Sequence, residues 1–178
     1  DAPRTGVRLS WQNDASLPRG AKQTAFSVEV YKGGAVVLSS GKTEGTAQQI
    51  RTDDLAPPSG LAFDSDYTWR VSTWITVDGH EQQTDWSKPL AFSTAPDDKS
   101  WAENKAVWVG GHNQLRSDFN LSASKPVRAR LHASGVGAFY LFLNGQRVGD
   151  HVMDPPQTVY SRRTVYLTFD VLSLLRPG

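Results

Sequence analysis

Val7, Leu9 and Trp11 alternate with Arg8 and Ser10, the period-2 pattern of a strand with one face buried. Phe26, Val28 and Val30 repeat it against Ser27, Glu29 and Tyr31. Tyr67, Trp69, Val71, Thr73 and Ile75 predict a third strand, opposite Thr68, Arg70, Ser72 and Trp74. A fourth runs through Leu90 and Phe92 to Thr94. Turn chemistry separates them at Lys32-Gly33-Gly34, Pro57-Pro58-Ser59-Gly60 and Asp78-Gly79-His80. The polar run 96–100 then reads as a linker between a unit over 1–95 and a second over 101–178.

The second stretch keeps the β pattern. Leu115 and Phe119 suggest a strand, and Pro126 opens another that reaches Leu131. The clearest local signal is Phe139 to Leu143, then Asn144-Gly145, then Gln146 to Val148. Asn-Gly between apolar arms predicts a type I′ hairpin, because both residues tolerate positive φ. Val165, Leu167 and Phe169 alternate again, and Asp170 can cap a short helical turn over Val171–Leu175 that Gly178 would end. No long stretch holds a 3.6-residue period, so two all-β units in tandem are expected. About five or six strands in the second are too few to close two full sheets, so that sandwich is expected to be incomplete and poorly stable alone.

Composition narrows the function classes. Nineteen basic and 18 acidic residues leave a net charge of +1, which gives no field for a nucleic-acid backbone or an anionic membrane. No apolar run approaches the length of a transmembrane helix. Six Trp, seven Phe and five Tyr supply large apolar surface for real cores. With no cysteine, disulfides, thiolate metal sites and cysteine nucleophiles all drop out. That lack suits cytosol and bacterial periplasm alike, with periplasm or secretion slightly favoured.

The titratable residues form no recognisable catalytic or metal motif. Asp53-Asp54, Asp64/Asp66 and Asp97-Asp98 sit in polar turns or the linker, where Asp bonds backbone. His80, His112, His132 and His151 lack ligand spacing, and nothing in the spacing supports Ca²⁺, so no cofactor is expected. Gly135-Val136-Gly137 reads as a bend, and Asn120-Leu121-Ser122 is a glycosylation sequon by accident. Trp74, Trp86, Trp101 and Trp108 read mainly as packing residues. Trp74 stands out because it falls on the polar side of its strand. After the hairpin, Asp150, His151 and Asp154, with Tyr160, Arg162 and Arg163, concentrate polar groups on one edge. Trp74, Asp150, Asp154, Tyr160 and Arg162 are therefore the candidates for contacting a sugar or a neighbouring domain.

Family resemblance enters with the spacing from Leu61 to Tyr67-Thr68-Trp69-Arg70-Val71. It resembles the tyrosine corner of fibronectin type III and immunoglobulin-like sandwiches, in which a buried Tyr hydroxyl bonds upstream backbone. The succession Leu9-Ser10-Trp11, Gln23 to Phe26, Ser40-Gly41-Lys42, Tyr67 to Val71 and Trp86-Ser87 resembles the N-terminal region of α-L-rhamnosidases of glycoside hydrolase family 78. The second stretch continues in family order. Leu115-Arg116 and Phe119 come first, then Gly135, Gly137 and Tyr140, then Leu143-Asn144-Gly145 and Arg147 to Asp150. Thr158, Tyr160, Tyr166, Thr168 and Asp170-Val171 complete the set.

The resemblance implies a fibronectin type III or immunoglobulin-like sandwich followed by part of a jelly-roll-like sandwich of carbohydrate-binding type. Pro156-Gln157 departs from the family, which usually carries a Gly-Trp after the Pro. It also implies inverting hydrolysis by two carboxyls about 6.5–9.5 Å apart in a helical barrel that this sequence cannot build. The implied partners are the rest of the rhamnosidase chain or a separate catalytic chain, and a rhamnose-containing glycan. A stand-alone carbohydrate-binding protein and a fibronectin-like protein scaffold are the alternatives.

Overall fold

The computed structural model describes residues 2–13, 17–57, 60–103, 109, 115–121 and 126–176. The chain divides into two compact units, Asp1–Ala106 and Val107–Gly178.

The first unit is built on two long strands, β2 (Lys22–Lys32) and β6 (Asp66–Val77), paired antiparallel with Val28 opposite Val71 and Val30 opposite Trp69. Phe26, Val28 and Val30 all point inward, as the alternation predicts, and Tyr67, Trp69 and Val71 join them from β6. β3 (Ala35–Ser39) and β4 (Thr43–Glu44) pair with the outer edge of β2, and β7 (His80–Gln83) and β8 (Leu90–Ser93) with that of β6. A narrower second sheet joins β1 (Arg8–Ser10) to β5 (Gln49–Arg51), with Leu9 opposite Ile50. Core side chains lie between the sheets, and Leu38, Leu55 and Leu61 are fully buried.

Local chemistry sets the joints. Gly33 and Gly34 both take positive φ in the two-residue link from β2 to β3, and Asp78-Gly79 does the same between β6 and β7. Such turns match the twist of the strands they join. The Tyr67 hydroxyl accepts the Ala62 N–H at 2.8 Å, which is the corner contact that the spacing from Leu61 predicts.

Two expectations need correcting. Residues 98–100, expected within a linker, begin the helix α1 (Asp98–Glu103). The Asp97 carboxylate accepts the Ser100 N–H at 2.7 Å, so the polar run is a capped helix start and not a bare connection. Leu115 and Phe119 lie in no strand; residues 115–121 join no strand or helix among the described residues, and both side chains are exposed. An apolar pair at even spacing makes no strand unless another edge takes up its backbone groups.

In the second unit, β9 (Arg130–Ala133) pairs antiparallel with β12 (Leu167–Asp170), and β10 (Phe142–Leu143) with β11 (Gln146–Arg147). Asn144 and Gly145 have φ of 51° and 78°, the predicted I′ turn. Asp170 accepts the Leu172 N–H at 3.0 Å as the chain enters a 3-10 turn, Leu172–Leu174, which ends at an extended Leu175. Among the described residues Leu143, Val148 and Val171 are the buried apolar side chains, packed by Leu131, Leu141 and Phe169. Val127, Val136, Tyr140, Phe142 and Met153 stay exposed, many large apolar side chains for so small a unit. No helix among the described residues is long and apolar enough to cross a membrane.

Candidate functional site

Side chains on the outer face of the long sheet form two clusters in the first unit. Glu29 and Arg70 face each other across β2 and β6. Arg70 donates through Nε and Nη2 to one Glu29 oxygen at 3.0 and 2.8 Å, and the Tyr31 hydroxyl donates to the same oxygen. The guanidinium also lies over Tyr31 and Trp86, at 5.1 and 4.4 Å from the ring centroids. Burial pushes the Glu29 carboxyl up, but the bonds from Tyr31 and Arg70 and the Arg70 charge together hold it below its ordinary value. Burial, then the Glu29 carboxylate, raises the Tyr31 phenol.

Arg70→Ala is expected to cost the first unit about 1–2 kcal/mol, a modest figure because solvent still reaches and screens this partly buried pair. A depressed carboxyl contributes stability at neutral pH that is lost as pH falls through its folded value. The deficit should therefore shrink in acid. Urea midpoints of both proteins at neutral and acidic pH check this; a constant deficit would mean that Arg70 acts through packing alone.

Trp74 anchors the other cluster. Lys42 Nζ sits 5.0 Å from its ring centroid, 2.8 Å from Glu81 and 3.4 Å from Glu44. Thr24 donates to Glu81 at 2.6 Å. The hydrogen bond to Glu81 raises the Lys42 ammonium, and in return Lys42, then Thr24, lowers the Glu81 carboxyl. One face of the Trp74 indole is thus already taken by a cation of the same unit.

In the second unit Asp150 and Asp154 meet around His151. Asp154 Oδ2 lies 3.2 Å from its Nδ1, and Asp150 Oδ1 lies 3.8 Å from its Nε2. Arg147, stacked on Tyr140 at 4.7 Å, donates to the His151 carbonyl. Tyr160 and Arg162 do not join this group. The Tyr160 hydroxyl accepts the Gly137 N–H at 3.3 Å, and the exposed Arg162 side chain makes no ion pair among the described residues. The predicted bend at Gly137 is present, with φ of 107°. His132 pairs with Thr168 at 2.9 Å, while His112 and Trp108 lie outside the described residues. Among the described residues no three His, Asp or Glu side chains gather as metal ligands.

Sequence reasoning did not single out an open groove of about 890 Å³ at the margin of the first sandwich. Trp11, Trp69 and Leu90 line it together with Gln12, Gln48 and Gln49. The register that sets Ser10 against Gln49 brings Trp11 beside the glutamines, with the Trp11 N–H on the Gln48 carbonyl at 3.0 Å, and the β6–β8 register sets Leu90 against Trp69.

Two family models match the chain in succession. The Rha78A-like, N-terminal immunoglobulin domain covers residues 3–97, and the Alpha-L-rhamnosidase N-terminal domain covers residues 124–178. The chain belongs to the N-terminal region of the α-L-rhamnosidases. This N-terminal rhamnosidase region is similar to an α-L-rhamnosidase of Streptomyces avermitilis, 37% identical over 120 residues, which are 60% of this chain and 11% of that protein. The solved α-L-rhamnosidase of Dictyoglumus thermophilum superposes with a TM-score of 0.80 at 26% identity, over 98% of this chain and 22% of its own. That of Aspergillus terreus gives 0.64 at 28% identity, over 89% and 19%. The N-terminal region thus spans no more than about a fifth of these relatives.

Proposed function

We propose that this chain supplies two non-catalytic N-terminal modules of an α-L-rhamnosidase that removes terminal α-L-rhamnose with inversion. In-order matching of both units to rhamnosidase N-terminal domains carries this reading. Inversion needs an acid and a base carboxyl about 6.5–9.5 Å apart, with room between them for the attacking water. In this reading both belong to polypeptide beyond the two units, either the rest of the chain or a separate catalytic chain. That polypeptide covers apolar side chains that the second unit leaves exposed, Val127 and Phe142 among them, and their exposure supports contact with further protein. The Asp150–His151–Asp154 edge then holds a loop and does not act on the glycosidic bond.

The test is hydrolysis of a chromogenic α-L-rhamnoside. The 178-residue protein is expected to release no product above buffer. A polypeptide that adds the remaining length of the relatives should release rhamnose first as the β anomer, read by proton NMR. Turnover by the 178 residues alone, or first release of the α anomer, would overturn this assignment.

A further inference from the structure

The β1–β5 sheet is narrower than the sheet it faces, and the groove at its margin opens where that cover stops. Trp11, Trp69 and Leu90 give the groove an apolar floor; Trp69 is buried in the core, Trp11 is half-buried and braced by Phe26 at 5.0 Å, and Leu90 is exposed, so Trp11 and Leu90 carry the open apolar surface. Gln12, Gln48 and Gln49 form the rim, all three are exposed, and their side-chain amides make no hydrogen bond among the described residues. Each amide offers a donor pair and an acceptor. Lys88 is the single charged side chain of the lining, and no carboxylate joins it.

We propose that this groove is a binding site for a neutral saccharide, of which a 6-deoxyhexose is the best-fitting unit. A pyranose has one face of C–H groups that suits an indole plane, and a 6-deoxy sugar adds a methyl that suits Leu90. Its hydroxyls donate and accept at once, as the primary amides on the rim do. An anionic ligand would have one cation to meet it, and a cationic ligand none. Aromatic floor, neutral rim and open mouth together match a shallow contact with a chain of sugars and not an enclosed pocket for one. Choosing a 6-deoxyhexose rests on the rhamnosidase reading; the neutral-saccharide chemistry rests on the groove alone.

The test is a titration of the whole 178-residue protein with L-rhamnose, followed by ¹⁵N NMR and controlled with glycerol at equal concentration. Saturable shifts are expected at the Trp11 and Trp69 indole N–H signals and at the Gln48 and Gln49 side-chain amides, with a dissociation constant in the millimolar range. The Trp74 indole, on the opposite face of the sheet, should not move. The double variant Gln48→Ala/Gln49→Ala is expected to bind about fivefold or more weakly while keeping the parent fold and melting point. Lys88→Gln should stay within about twofold. Absence of saturable shifts at the groove, or saturable shifts at Trp74 or in the second unit instead, would overturn the site. A tenfold loss in Lys88→Gln would overturn the neutral-ligand chemistry. Any of these results leaves the hydrolysis test untouched, so the two readings fail separately.

Discussion

Phe26→Ala is expected to destabilise the first unit by about 3–5 kcal/mol, a large part of the stability of a domain of this size. Phe26 is 4% exposed on the inner face of β2, with Thr73 opposite it in register and the Trp11 ring 5.0 Å away. Removing its ring opens a cavity between the two sheets. The neighbours can refill it only by moving β1, whose pairing to β5 resists that shift. The urea midpoint followed by tryptophan fluorescence should fall sharply with little change in slope. Leu90→Ala, at a side chain that is 57% exposed, should change stability by no more than about 0.5 kcal/mol. A Phe26→Ala loss below about 1 kcal/mol would mean that the residues on β2 and β6 do not share one cooperative core.

Much of this core is legible in the sequence because burial leaves a periodic trace. The inward residues of β2 and β6 are the alternating apolar positions, Tyr67 is placed by its spacing from Leu61, and the Asn144-Gly145 turn is written in two residues. Other elements leave no such trace. β7 (His80–Gln83) is exposed at every position and exists as the second arm of a turn at Asp78-Gly79, held by β6. β4 and β5 are short and take their conformation from partner strands. Helix α1 hides in a run whose Asp97 reads equally as a linker residue or as a cap.

Candidate sites divide in the same way. Asp150 and Asp154 are close in sequence and do meet at His151, whereas Tyr160 follows a different loop path, which periodicity does not encode. Trp74 falls on the polar face as its position predicts, but the Lys42 that covers it comes from a loop far away in sequence. The groove is harder still. Gln48 and Gln49 read as ordinary polar residues until strand register carries them beside Trp11.

Gly149→Ala is expected to have the other large effect, about 2–5 kcal/mol on the second unit, through two additive causes. Gly149 has φ of 72°, where an L side chain is strained by about 1–2 kcal/mol. A Cβ there would also lie 2.8 Å from Cε1 of Phe169, too close for any real contact. Phe169 cannot simply turn away, because it packs against the small core of Leu143, Val148 and Val171; displacing it costs about 1–3 kcal/mol more. Gly145→Ala separates the causes. Its φ is 78° with nothing within 4 Å of the added carbon, so it should lose only the conformational part. Hydrogen exchange read on peptides spanning 139–171 resolves this unit from the first. Protection should collapse there in Gly149→Ala, fall mildly in Gly145→Ala, and hold in the first unit for both. Equal losses in the two variants would mean that Phe169 yields freely, and that the packing around Leu143, Val148 and Val171 is loose even where the hairpin docks.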